Sequence, residues 1–120
     1  MRNGMRRRSN NKYGAEKTEI DNIKFDSGQE SRYYLLYKSM LKRGEIVNLE
    51  LQPKFILQEG FRNWEGKSVR PITYKADFLL TYPGGRKVVI EVKGYRTRDY
   101  QLRRKMFEYK YRDYEFREVH

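Results

Sequence analysis

No cysteine occurs among the 120 residues, and the only histidine is the last one, His120. Disulfides, thiolate nucleophiles and cysteine-bound zinc are thereby excluded. A Ser-His-Asp triad, a histidine-metal nuclease and histidine general acid–base chemistry have no residue to run on within the body of the chain. Hydrolytic chemistry would have to use Asp, Glu, Lys and a hard metal. Long apolar runs are also missing: none approaches the roughly 18 residues that span a bilayer. The basic N-terminus is not followed by an apolar segment, so it does not read as a secretory signal. A cytosolic protein without membrane association is expected.

Acid is scarce as well. Lys and Arg number 27 against 16 Asp and Glu, giving a formal net charge of +11. Such an excess points to a polyanion, and to nucleic acid before membrane, because no basic helix carries a clean apolar face. The plainer alternative is a basic protein whose charge only keeps it soluble. Residues 1–18 hold Arg2, Arg6, Arg7, Arg8, Lys12 and Lys17 against Glu16 alone, with no apolar periodicity. They read as a flexible basic arm. Residues 19–120 then form one domain, long enough to bury a core.

The most informative stretch is Tyr74–Lys93. Two apolar, β-rich runs flank Pro83-Gly84-Gly85, which predicts a hairpin. A three-residue loop pairs Tyr82 with Arg86, Thr81 with Lys87, Leu79 with Val89 and Asp77 with Glu91. The two carboxylates would then be cross-strand neighbours, with Cβ atoms about 5 Å apart. Lys93 follows Glu91 by two and falls on the same face. Adjacent carboxylates repel, and a divalent cation would hold them together. Mg²⁺ suits hard oxygen ligands and takes phosphate oxygens besides. Lys93 could there hold a water or a phosphate oxygen. The alternative is a wet strand face on which Asp77, Glu91 and Lys93 form an ion network. The apolar filling of Phe78, Leu79, Leu80, Val88, Val89, Ile90 and Val92 favours the buried site.

Ile20–Phe25 reads as a short strand. A helix is expected from Asp26-Ser27-Gly28 through about Lys42, with Tyr34, Tyr37 and Leu41 on its core stripe and Gly44 closing it. Glu30 heads that stripe. It is either the last member of a Ser27-x-x-Glu30 capping box or a third carboxylate reaching the site. Ile46–Leu57 alternates as one strand with a bulge or edge position at Pro53, and Gln52 faces either the site or solvent. Gln58–Arg70 reads as a loop or widened turn. In it Phe61, Arg62, Trp64, Lys67 and Arg70 interleave aromatics and cations, which suits DNA contact or a hydrophobic anchor. A second helix is expected over about Arg98–Tyr109, capped by Thr97, with Leu102, Met106 and Tyr109 as its apolar stripe. Tyr114–Val119 would be the last strand. The candidate DNA contacts are Arg6, Arg7 and Arg8 of the arm, and Arg96, Arg98, Arg103 and Lys105 around the second helix. The expected class is α/β (α+β), a mixed β-sheet flanked by helices in the order β-α-β-β-β-α-β.

Asp77 followed by Glu91-Val92-Lys93, with a helical Glu30 before them, resembles the PD-(D/E)XK nuclease core. The wider blocks Asn11-Lys12-Tyr13-Gly14, Phe25-Asp26-Ser27, Leu49-x-Leu51-Gln52-Pro53, Tyr74-x-Ala76-Asp77-Phe78 and Glu91-Val92-Lys93-Gly94 resemble a family of small phage and prophage proteins assigned as endodeoxyribonucleases. The likeness runs from about Asn11 to Val119. One departure is that Ala76, and not proline, precedes Asp77.

The resemblance implies a restriction-endonuclease-like core and a Mg²⁺- or Mn²⁺-dependent endonuclease acting on DNA. Structure-selective cutting of branched DNA or Holliday junctions, in phage DNA metabolism within the host cell cytoplasm, is one version of it. Asp77, Glu91, the Val92 carbonyl and Glu30 would hold the metal, and Lys93 would orient the attacking water, leaving a 5′-phosphate. DNA is the implied partner, and a homodimer is common in enzymes of that sort. The alternative is a non-catalytic DNA-binding module with a vestigial nuclease site. A basic RNA-binding or ribosome-associated protein is a third reading, less favoured because the tyrosines fall on a helix stripe.

Overall fold

The computed structural model describes residues 18–92 and 96–120. The arm residues Arg6, Arg7 and Arg8 therefore lie outside the described residues, as does Lys93. Thr18, the last residue assigned to the arm, opens the first strand.

β1 (Thr18–Ile20) and β2 (Ile23–Phe25) form an antiparallel hairpin where a single strand was expected. The turn is made by Asp21 and Asn22, with φ of 56° and 64°. Both residue types tolerate the left-handed region, and two in succession make the tight turn that matches strand twist. Tyr34 donates to the Asp21 carboxylate at 2.8 Å and Lys38 pairs with it, fastening the hairpin to the first helix.

Helix α1 (Gly28–Arg43) is capped as the sequence predicts. Ser27 Oγ accepts from the Glu30 N–H at 3.1 Å, and Gly44, at φ 80°, closes the far end. Tyr34 and Tyr37 are buried, while Leu41 is exposed.

β3 (Asn48–Leu51) and β4 (Lys54–Gln58) replace the single strand expected over Ile46–Leu57. Between them Gln52 stands at φ 50°, and Pro53 cannot donate to a ladder. β5 (Phe61–Arg62) and β6 (Ser68–Val69) form a short ribbon in place of the expected loop. β7 (Ile72–Lys75) and β8 (Phe78–Thr81) divide the next run at Ala76-Asp77. The two breaks are tied to each other. The Gln52 N–H donates to the Asp77 carbonyl at 2.9 Å, and the Ala76 N–H to the Pro53 carbonyl at 3.1 Å. β3 pairs with β8 on one side of this crease and β4 with β7 on the other, so residues 48–81 form one long creased hairpin with the ribbon at its end.

β9 (Lys87–Val92), α2 (Arg98–Lys110) and β10 (Glu115–Val119) complete the chain. The main sheet runs β10-β9-β8-β3, with β10 parallel to β9 and the other pairs antiparallel. The fold is mixed α+β. Taken as β2-α1-β3-β8-β9-α2-β10 it has the expected order β-α-β-β-β-α-β, with β4 to β7 as an excursion from it.

Both faces of the sheet are covered. Phe78, Leu80, Val88 and Ile90 pack with Tyr34, Tyr37, Phe25 and Ile46. Leu79 and Val89 pack on the opposite face with Tyr74, Ala76, Phe55, Leu57 and Phe107. Phe107 is fully buried, its ring edge-on to Phe55 at 4.8 Å and stacked on Tyr111 at 5.1 Å.

α2 keeps only part of the expected stripe: Met106 and the adjacent Phe107 pack against the core, but the buried face is rotated away from Leu102 and Tyr109. Leu102 and Tyr109 are 58% and 72% exposed, whereas Tyr100, Phe107 and Tyr111 face the core. At 100° per residue these two sets lie on opposite sides of the helix. The core-side set is flanked by Arg103 and Arg104, whose charges hid it from a hydropathy reading. Their heads are satisfied locally: Arg103 by Asp99 and the Thr73 carbonyl, Arg104 by Glu118 at 2.9 Å and by stacking on Phe116.

Candidate active site

The β8–β9 hairpin has the register expected for a three-residue loop. Thr81 pairs with Lys87, Leu79 with Val89 and Phe78 with Ile90, and the Tyr82 N–H donates to the Arg86 carbonyl at 2.8 Å. Gly84 and Gly85 adopt φ of 92° and 99°, a geometry that side chains with a Cβ resist.

The register fails at the residue that matters most. Phe78 is paired with Ile90, yet the Asp77 N–H also goes to the Ile90 carbonyl, at 3.1 Å. Two residues of β8's approach thus stand opposite one residue of β9, which is a β-bulge, and a bulge re-aims a side chain. Asp77 turns to the α1 face beside Phe78, where its carboxyl stands against that of Glu30. Glu91 stays on the alternation of its strand and faces the α2 layer, where the Tyr74 hydroxyl donates to its Oε1. Asp77 and Glu91 therefore are not the same-face neighbours that the sequence reading expected.

Asp77 is held from every side of its backbone. Beyond the N–H bond to Ile90 and the Gln52 N–H on its carbonyl, its Oδ2 accepts from the Val92 N–H at 2.7 Å. Gln52 itself is exposed, so its part here is played by its main chain and not by its amide. Glu30 projects from the first turn of α1 and is only 5% exposed. Its backbone N–H makes the helix cap, which leaves its carboxyl to accept from the Asp26 N–H and to meet Asp77. Burial pushes the Glu30 carboxyl up to about 8, helped by the Asp77 and Asp26 charges. Burial also raises Asp77, against the pull of the Val92 amide and of the Glu30 carboxyl. Raised to about 8, the Glu30 carboxyl keeps its proton at neutral pH beside Asp77.

Tyr74 is the functional residue that sequence reasoning missed. It is 4% exposed, stacks over the Phe55 ring and touches both halves of the site: it bonds Glu91, and the Asp77 charge acts on its hydroxyl. Its position three residues before Asp77 was the available signal, and it read as the start of a strand. Behind it, Tyr100 bonds Glu118, whose carboxylate is also held by Arg96 at 2.7 Å and Arg104 at 2.9 Å.

Glu30 and Asp77 supply hard oxygens side by side, and a divalent cation would relieve the repulsion between them when both are ionised. That pair fits an open Mg²⁺ site completed by water and phosphate oxygens. Among the described residues no three acids or histidines stand together as a metal cage. Glu91 Oε1 accepts from the Tyr74 hydroxyl, and Val92 meets Asp77 through its N–H.

Of the candidate DNA contacts, Arg98 and Lys105 are exposed on α2. Arg96 is bound to Glu118 but remains 56% exposed. Arg103 is a correction: its guanidinium is committed to Asp99 and the Thr73 carbonyl, so it braces α2 against β7.

A family model described as a protein of unknown function, DUF1064, matches residues 10–119. No curated protein and no solved structure matches the chain.

Proposed function

We propose that this chain, which belongs to the DUF1064 family of proteins of unknown function, is a divalent-metal-dependent endodeoxyribonuclease. The observation that carries the proposal is the buried Glu30–Asp77 pair. Two carboxyl groups, both raised by burial, face each other at the end of a sheet, in a chain of net charge +11. A protein gains no stability from burying such a pair, which is the arrangement expected where a cation and a phosphate are to be received.

Mg²⁺ or Mn²⁺ bound there would neutralise phosphate charge and lower the pKa of the attacking water. Asp77 contributes a carboxylate fixed by the Val92 amide, so it need not reorganise during reaction. Glu30 contributes a second carboxylate once its proton has left. Glu91 stands one strand away, steadied by Tyr74, and Lys93 follows it by two residues. We assign to Lys93 the orientation of the water and to Glu91 the completion of the site together with the Val92 carbonyl. Exposed Arg98 and Lys105, with Arg6, Arg7 and Arg8, would supply the phosphate contacts. Branched DNA is the proposed substrate class.

A second reading, a DNA-binding module with a vestigial site, is favoured by one observation. Glu91 faces the α2 layer and is held there by the Tyr74 hydroxyl, whereas Asp77 faces the α1 layer with Glu30. One experiment separates the two. Labelled linear duplex, single strand, flap and four-way junction are incubated with Mg²⁺, Mn²⁺ or EDTA, for wild type, Asp77→Asn and Lys93→Ala. Metal-dependent cutting lost in both variants is the expected result. Tight, salt-sensitive binding without cutting under either metal would establish the binding module.

A further inference from the structure

The excursion β4 to β7 ends in a feature that the candidate site does not use. Between β5 and β6 the chain turns through Asn63-Trp64-Glu65-Gly66, and Trp64 is 92% exposed. Burying an indole is worth several kcal/mol, and this chain has only one, so its position outside the core calls for a reason. A lone surface aromatic on a loose loop would need none. This one is on a braced turn. The Asn63 N–H donates to the Lys67 carbonyl at 2.9 Å, and the Gly66 N–H to the Asn63 carbonyl at 2.8 Å. The Asn63 side-chain oxygen accepts from the Glu65 and Lys67 N–H groups at 2.9 and 3.0 Å. Arg62 Nη1 donates to the Gly66 carbonyl at 2.9 Å. Gly66 sits at φ 83°, which the turn requires. None of these bonds uses Trp64, so the turn fixes its backbone and leaves the ring outside.

The foot of the ribbon is fixed too. A Cβ on Gly60 would meet the Val69 carbonyl at 3.1 Å and the Pro71 ring at 3.2 Å, so two chain segments are pressed together there. The ribbon is a stiff projection with an aromatic tip.

The surroundings of the tip select its partner. Arg62, Lys67 and Arg70 are exposed along the ribbon and its root, and the acids among them are Glu59 and Glu65, the latter drawn to Lys67 at 3.8 Å. A protein hot spot would set the indole in an apolar patch, but its immediate neighbours are Asn63, Glu65 and Lys67. An exposed indole on a ribbon that also carries Arg62 and Lys67, with Arg70 at its root, matches a nucleobase whose flanking phosphates meet those cations. β7 runs from the ribbon's root to the crease at Asp77, so the ribbon leaves one end of this strand and the carboxylate pair follows the other.

We propose that the β5–β6 ribbon is a wedge on which an unpaired DNA base stacks, with Trp64 as the platform and Arg62, Lys67 and Arg70 as the phosphate contacts. This deepens the nuclease reading and rests on it for the choice of DNA: it assigns selectivity for unpaired bases, as at flaps and junctions, to a surface separate from the carboxylates.

The test uses the full chain, in EDTA, where no cleavage is needed. Trp64 is the only tryptophan, so intrinsic indole emission reports this position alone. Single-stranded and flap oligonucleotides should quench it at saturation, and blunt duplex of the same length should leave it nearly unchanged. Trp64→Ala should weaken flap and single-strand affinity about tenfold or more and change duplex affinity by less than about twofold. Trp64→Phe should restore most of the loss. Because the ring is exposed, neither variant should alter the thermal unfolding midpoint. Equal quenching by all DNA forms, no quenching on binding, or a uniform loss of affinity in Trp64→Ala would overturn the wedge. So would emission that shifts with protein concentration alone alongside a dimer in sedimentation, which would make the ring a contact between copies. A chain that cuts DNA without quenching refutes only the wedge. One that shows the quenching but never cuts refutes only the nuclease, and one that binds no DNA refutes both.

Discussion

Replacing Glu30 by glutamine keeps the shape of the side chain and ends its titration. The helix cap should survive, because Ser27 Oγ accepts from the backbone N–H of residue 30 and not from its side chain. The contact with Asp77 should also survive, since an amide N–H can donate where the protonated carboxyl did. What changes is the response to pH. In the unfolded chain Glu30 titrates near 4.5, and in the fold it is raised to about 8 by burial and by Asp77 and Asp26. Below 4.5 both states hold the proton and the shift has no effect on stability. As pH rises from 4.5 to about 8 the unfolded state ionises and the folded state does not, so stability falls; above about 8 the loss levels off. A rise from 4.5 to about 8 corresponds to about 5 kcal/mol at about 1.4 kcal/mol per pH unit. Rotation of the freed carboxylate and entry of water should reduce this to about 2 kcal/mol. Urea unfolding in EDTA at pH 5, 7 and 9 should therefore find Glu30→Gln about equal to wild type at pH 5 and about 2 kcal/mol more stable at pH 9. The same variant should lose metal-dependent cleavage. A variant less stable than wild type at every pH, by a constant amount, would refute the raised titration of Glu30 and return it to a structural role.

Two further outcomes follow from the same geometry. Mg²⁺ affinity measured by calorimetry without DNA should rise about tenfold per pH unit between pH 6 and 8, because loading expels the Glu30 proton, and a flat profile would remove Glu30 from the ligand set. Phe107→Ala should cost about 3–5 kcal/mol in urea unfolding, the usual range for a buried aromatic, since Phe107 is the centre of the α2-side cluster; a loss under about 1 kcal/mol would show that α2 is not anchored through it.

What the sequence made legible was what periodicity and turn chemistry encode locally. Ser27 and Gly44 delimit α1, the Pro83-Gly84-Gly85 loop sets the β8–β9 register, and the core order emerges from these. Pro53 marked one crease as a bulge or edge position, but its partner at Ala76-Asp77 was not legible, because it depends on bonds to Gln52-Pro53 across more than twenty residues. The bulge at Asp77 is the same case. Strand alternation alone puts Asp77 beside Glu91, and only the second N–H on the Ile90 carbonyl turns it to Glu30. On α2, hydropathy favoured Leu102 and Tyr109 because it cannot know that Arg104 will find Glu118 and Phe116. Glu30 was legible as one of two roles; its backbone N–H meets Ser27 Oγ as any residue's would, while its carboxyl is buried beside Asp77.

The crease also bears on how chain length can vary within such a protein. β3/β8 and β4/β7 are two ladders that share one pair of crossing bonds, Gln52 to Asp77 and Ala76 to Pro53. A single deletion between Leu51 and Lys54 would slip one strand past its partner and turn Phe55 and Leu57 outward. To preserve the fold it would need a matching deletion near Ala76, and that would displace Asp77. Beyond the crease the ladder has no such partner to satisfy. The ribbon after Gln58 can lengthen or shorten in matched pairs of residues while the carboxylates stay where they are. The proposed contact with DNA and the proposed cleavage chemistry can thus drift independently, one in the ribbon and the other pinned at the fold line.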